Sequence, residues 1–127
     1  MSLERDTISY QRWIEFHYFQ DGKTDGFDTI SIAPSKRFKI IQFRIHLSSA
    51  FASVEDFVVY VSSVNGSRYN HKLCSYAMNN TQTFIQGYSS DILEFFSDDQ
   101  IVINFSMVSN TNGWGVEVLG WAVEQKL

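Results

Sequence analysis

One cysteine and one proline are all that the chain contains of the two residues that most constrain a backbone. With Cys74 alone, no disulfide can form within the chain, so the fold does not depend on an oxidising compartment. Pro34 alone leaves the apolar runs otherwise uninterrupted. Charge is sparse at 19% of residues, and the balance is −4 with a pI near 5.2. That argues against non-specific nucleic-acid binding, which needs a net positive surface. No apolar run approaches the roughly 20 residues of a membrane span. The opening "MSLERDTISYQR" is polar and charged and has no signal-peptide pattern. No segment keeps helical periodicity over the dozen or so residues a helix would need.

What is present is aromatic and alternating. Among 127 residues, 44% are hydrophobic and 16% aromatic, with eleven Phe, six Tyr and three Trp. Length and composition fit one globular domain with a continuous core, residues 1–127, with 1–12 as an N-terminal arm. Charge is uneven: residues 1–48 hold seven Lys/Arg and six Asp/Glu (+1), whereas residues 49–127 hold three and eight (−5). "SKRFKIIQFR" (Ser35 to Arg44) is the basic cluster, read as solvated strand faces and a turn, with a phosphate-binding patch as the alternative.

Period-two alternation recurs along the chain. "WIEFHYF" (Trp13 to Phe19) puts Ile14, Phe16 and Tyr18 on one face. "FDTISIA" (Phe27 to Ala33) is ended by Pro34, which cannot donate to a ladder. In "FKIIQFRIHLS" (Phe38 to Ser48), Ile41, Phe43, Ile45 and Leu47 alternate with Gln42, Arg44 and His46. "DFVVYVSSV" (Asp56 to Val64) follows, then "NGS" as a tight-turn signal, then "YNHKLCSYAM" (Tyr69 to Met78). A brief strand in "NNTQTFIQGYSSD", the run "ILEFF", "IVINFSMV" (Ile101 to Val108) and Trp114 to Glu124 complete the set. Seven to eight short strands with no βαβ alternation predict an all-β fold, an antiparallel β-sandwich or jelly roll. The expected core is Ile41, Phe43, Ile45, Leu47, Phe57, Val59, Val61, Ile101, Ile103 and Phe105.

The stretch "FKIIQFRIHLSSAFASVEDFVVYVSSVNGSRYN", with "SDDQIVINF" and "NGWGVEVLG" further on, resembles a set of small uncharacterised proteins encoded among the virion-structure genes of tailed phages and prophages. The shared features are a strand with Arg and His on its wet face, a G-x-x-Y turn, an acidic approach to a late strand and a final glycine-containing strand. The resemblance covers about Phe38 to Val118 and departs at "SSDILEFF". It implies a structural or attachment role in a virion, acting by self-assembly with other virion proteins. It brings no catalytic residues. The implied location is the virion, or the bacterial cytoplasm before assembly.

Read for chemistry, the residues offer little. Cys74 lies in an alternating apolar run as a small buried residue would. His17, His46 and His71 fall in three different elements, and none adjoins an acid in a recognisable motif. We therefore expect no enzyme activity and no required cofactor. "DGKTDGFD" spaces Asp21, Asp25 and Asp28 around two glycines, a weak calcium candidate beside the ordinary reading of hairpin turns. "SDDQ" (Ser97 to Gln100) reads as an acidic turn before a buried strand.

The alternative function is glycan binding through exposed aromatics, with Trp121, Glu117 and Trp114 as candidate residues. Trp114 and Trp121 are seven residues apart, so strict alternation puts them on opposite faces. A bulge at Gly120 would flip Trp121 inward, and with both indoles inward the last two runs would be a core hairpin around "SNTNGWG". We expect an inward Trp114 and a half-exposed Trp121. The partners expected are further copies of the chain in a closed ring or trimer, other virion proteins and a glycan, and neither nucleic acid nor membrane. The C-terminal strand, apolar on both faces, or the N-terminal segment is the expected contact.

Overall fold

A computed structural model describes residues 12–23, 26–88, 94–106 and 112–124. These form an antiparallel β-sandwich. The strands are β1 (Arg12–Gly22), β2 (Thr29–Ile32), β3 (Phe38–Leu47), β4 (Asp56–Ser62), β5 (His71–Ala77), β6 (Thr83–Gly87), β7 (Glu94–Phe95), β8 (Gln100–Asn104) and β9 (Trp114–Glu124). One sheet runs β1-β9-β3-β6, with β7 paired to the start of β3. The other runs β2-β8-β4-β5. Every strand pair is antiparallel. Leaving out the two-residue β7, the pairing is nested: β1 with β9, β2 with β8, β3 with β6, β4 with β5. Such nesting is a hairpin folded over on itself, the winding of a jelly roll.

The alternation read from the sequence is the reason for these strands. Phe43, Ile45, Leu47, Phe57, Val59, Val61, Ile101, Ile103 and Phe105 are all buried between the sheets. Period two sends alternate side chains to opposite faces, so each run presents one row to the core. Seven of the eleven Phe are buried, and their rings pack from one end of the sandwich toward the other. Trp114 lies 4.5 Å from Phe27, Phe51 4.8 Å from Phe105, and Phe43 meets Phe57 across the two sheets at 6.2 Å. The aromatic richness therefore serves the core first.

Two expectations change, and one conditional reading is decided. Ile41 is not core: Ile40 is buried instead and Ile41 is only partly covered. The β3–β9 register shifts between Ile40 and Gln42, so Ile41 is the extra residue of a β-bulge. Second, the runs flanking "SNTNGWG" do not make a hairpin. β8 belongs to one sheet and β9 to the other. Third, β9 is not an edge. It lies between β1 and β3, so the C-terminal strand cannot offer its backbone to a partner. Residues 1–11 of the expected arm lie outside the described residues, and Arg12 already belongs to β1. No helix among the described residues is long and apolar enough to cross a membrane.

Candidate functional site

The outer face of the β1-β9-β3-β6 sheet gathers the residues of greatest interest. Cross-strand pairing puts Phe19, Glu117, Arg44 and Ile85 in one row. The next row holds His17, Leu119 and Gln42, and the one beyond it Glu15, Trp121 and Lys39. Phe19 and Ile85, the two ends of the first row, are 51% and 54% exposed. Between them sits a polar centre. The Glu117 carboxylate is 2.9 Å from His17 Nε2 and 3.6 Å from Arg44 Nε. The first is a hydrogen bond. The second is an ion pair by distance but too long for a hydrogen bond. Partly exposed pairs of this kind contribute about 0–1 kcal/mol each. Their clearer effect is to fix the side chains on the sheet.

Trp121 is half-buried on this face, with Glu117 four residues away, two rows along on the same side. Trp114 is on the other face, 6% exposed and packed on Phe27. The three glycan candidates thus do not form one surface: Trp121 and Glu117 share a face, and Trp114 is in the core. Parity held along β9 because the bulge is in β3, opposite Gly120, and not in β9 itself.

The basic cluster is largely engaged within the molecule. Lys39 Nζ lies 4.4 Å over the Trp13 ring. Arg37 Nε is 3.4 Å from Glu94, and Arg44 meets Glu117. Of the calcium candidates, Asp21 is exposed at the end of β1, Asp28 is exposed just before β2 in the other sheet, and Asp25 lies outside the described residues. No group of three or more metal-ligating side chains occurs among the described residues. The acidic turn has a structural role: Asp99, 5% exposed, accepts hydrogen bonds from the backbone N–H of Phe96 at 3.0 Å and of Val64 at 3.3 Å.

Cys74, in β5, packs against the core, and burial pushes its thiol up to about 11 despite the opposing effects of a Val59 backbone hydrogen bond and Lys72. A nucleophilic thiol needs the reverse shift. His71 shares β5 with it, whereas His17 and His46 lie in the other sheet. Tyr88 closes the same region: its hydroxyl donates to the Leu73 carbonyl at 2.8 Å, and burial first, then the neighbouring Cys74, raises it to about 12.

A second surface feature was not legible in the sequence. A cleft of about 280 Å³ lies where the end of β4, the start of β5 and the β7–β8 turn meet. Its walls include Asn65, Tyr69, His71, Glu94 and Phe96. Tyr69 and Phe96 are 61% and 65% exposed. His71 meets Phe95 edge-on at 5.8 Å. These residues come from separate turns, and only long-range pairing brings them together.

No family model matches the chain, and no curated protein matches its sequence. Among solved structures, the core of Drosophila NLP, reported with pentamer formation and histone binding, aligns with a TM-score of 0.46 and 14% identity over 89% of this chain and 100% of that one. A mud crab tombus-like virus structure aligns with a TM-score of 0.43 and 7% identity over 93% of this chain and 84% of that one. Likenesses this distant carry no argument about function. The fold class rests on the strand pairing itself: the chain is an antiparallel β-sandwich.

Proposed function

We propose that the protein is a non-enzymatic structural component that works by self-association, and that its setting is a tailed-phage or prophage virion. One observation carries the self-association: β1 is an eleven-residue strand at the edge of its sheet, with β9 as its sole strand partner among the described residues. Long edges are pairing templates that proteins normally shorten, charge or cover. Phe19, exposed on β1 itself, adds apolar area at that edge. The virion setting is supported by the resemblance of Phe38 to Val118 to small phage structural proteins. Light scattering over a wide concentration range tests the association. We expect a mass that is a multiple of 14.7 kDa. A monomer mass at every concentration would overturn the reading.

A second reading, glycan binding, has its own support in the cleft. Exposed Tyr69 and Phe96 offer ring faces, while Asn65 and Glu94 offer amide and carboxylate partners. Titration with a panel of neutral oligosaccharides tests it, with Phe96→Ala and Trp121→Ala separating the cleft from the outer sheet face.

A further inference from the structure

The edge strand has a pattern that specifies its partner. β1 reads RWIEFHYFQDG and pairs with β9 in unbroken register from Arg12 to Gly22, with no bulge to twist it away. Its length is about twice that of an ordinary strand. It has neither proline nor lysine, two of the usual protections of an edge. Its inner row is also unfinished. Ile14, Phe16 and Tyr18 point to the core side, yet all three are only partly buried, whereas Val116 and Val118 beside them on β9 are fully buried.

We infer that a second copy of this chain pairs with β1, antiparallel and edge to edge, about a two-fold axis at Phe16. This deepens the self-association reading and rests on it. In that register each side chain meets one of matching chemistry. Trp13 falls opposite Phe19 of the second copy, Ile14 opposite Tyr18, Glu15 opposite His17, and Phe16 opposite itself. Symmetry makes every unlike pair twice. Trp13, Glu15, His17 and Phe19 all lie on the outer face, and Ile14, Phe16 and Tyr18 all on the inner face. A carboxylate therefore meets an imidazole and indole meets phenyl on one side, and apolar meets apolar on the other. Aromatic pairs directly across two strands are stabilising cross-strand combinations, and an imidazole N–H can donate to a facing carboxylate. Neighbouring registers lose this match. Centring on Glu15 places Glu15 against itself, and centring on His17 places Glu15 against Phe19 and Trp13 against Asp21. A two-fold contact must be self-complementary, and this segment is. The result is a dimer whose two β1-β9-β3-β6 sheets become one continuous sheet.

The test is cysteine trapping in a Cys74→Ser background, together with mass. Glu15 and His17 are exposed, so Glu15→Cys and His17→Cys leave the core alone. Directly opposed Cβ atoms lie about 4.5–5.5 Å apart, within reach of a disulfide after small adjustment, whereas diagonal ones lie about 7–8 Å apart. Mixing the two variants under mild oxidation is expected to give a 15–17 cross-linked dimer at several times the yield of either variant alone. In the unmodified protein, β1 amides are expected to exchange more slowly as concentration rises. A concentration-dependent oligomer without preferential 15–17 linkage would overturn the β1 contact and leave self-association standing. A monomer with fast-exchanging β1 amides at every concentration would overturn both. If the cysteine variants fail to fold, fast β1 amide exchange in an unmodified oligomer overturns the contact on its own.

Discussion

At Gly120 the fold leaves no room for a side chain. A Cβ there would run into the Lys39 carbonyl oxygen, with Ile40 Cα at 3.3 Å behind it. These are backbone atoms of the bulged stretch of β3, so no rotamer change can relieve the clash. Gly120→Ala is therefore expected to lower stability by about 1–3 kcal/mol, as overpacking does, and to show it as a shifted denaturation midpoint. An unchanged midpoint would mean that β3 does not approach β9 as described. Cys74 gives a second test at this scale. With the thiol near 11, about 0.1% of it is ionised at pH 8, against roughly a quarter for an ordinary thiol. Alkylation by iodoacetamide at pH 8 is expected to be some hundredfold slower in the native protein than in denaturant. The sign of the linkage follows from the same shift. The folded state holds this proton more tightly, so the contribution is fully present below the ordinary thiol pKa and is lost as pH rises toward 11.

At the scale of the element, the bulge decides which isoleucine matters. Ile40 is 1% exposed and Ile41 is the extra residue between paired positions. Ile40→Ala is expected to cost about 2–5 kcal/mol, and Ile41→Ala clearly less. Equal losses would place both side chains in the core and contradict the register. The sequence contained this in outline. Ile41, Phe43, Ile45 and Leu47 form an unbroken alternation, and parity alone selects Ile41. Phe38 and Ile40 fall on the other parity, and such a change of phase inside an apolar run is what a bulge leaves behind. Gly120 did mark a close backbone approach, but the irregularity it accommodates belongs to the neighbouring strand. The same limit governs the candidate site. Parity along β9 separates Trp114 from Trp121, and parity along β1 leaves Phe19 on the wet face. That Glu117 sits between His17 and Arg44 follows from the order β1-β9-β3, which joins residues about 100 positions apart. Local alternation has no information about which strands become neighbours.

At the scale of the whole molecule, nested pairing predicts an order of assembly. β4 and β5 are joined by the short segment between Ser62 and His71, whereas β1 and β9 pair Arg12 with Glu124 at opposite ends of the described chain. Closing the outer pairs first would fix long loops with little return, because loop-closure entropy must be overcome before distant contacts form. Once β4–β5 is made, β3–β6 is separated by a much shorter effective loop, and β2–β8 and β1–β9 are expected to follow in turn. A fold built on such distant pairs is expected to refold in milliseconds to seconds. Two matched substitutions test the order. Val59 in β4 and Val118 in β9 are both fully buried, so Val59→Ala and Val118→Ala remove the same group from the same kind of site. Each is expected to cost about 1 kcal/mol or more, enough for the two rate effects to be separated. Val59→Ala is expected to slow refolding, because its contacts already exist at the barrier. Val118→Ala is expected to leave refolding nearly unchanged and to speed unfolding, because β9 docks after the barrier. Stopped-flow chevrons of the two variants read this directly. The reverse assignment, with slow refolding confined to Val118→Ala, would show that the β1-β9-β3 sheet forms first and that the nesting closes from the outside inward.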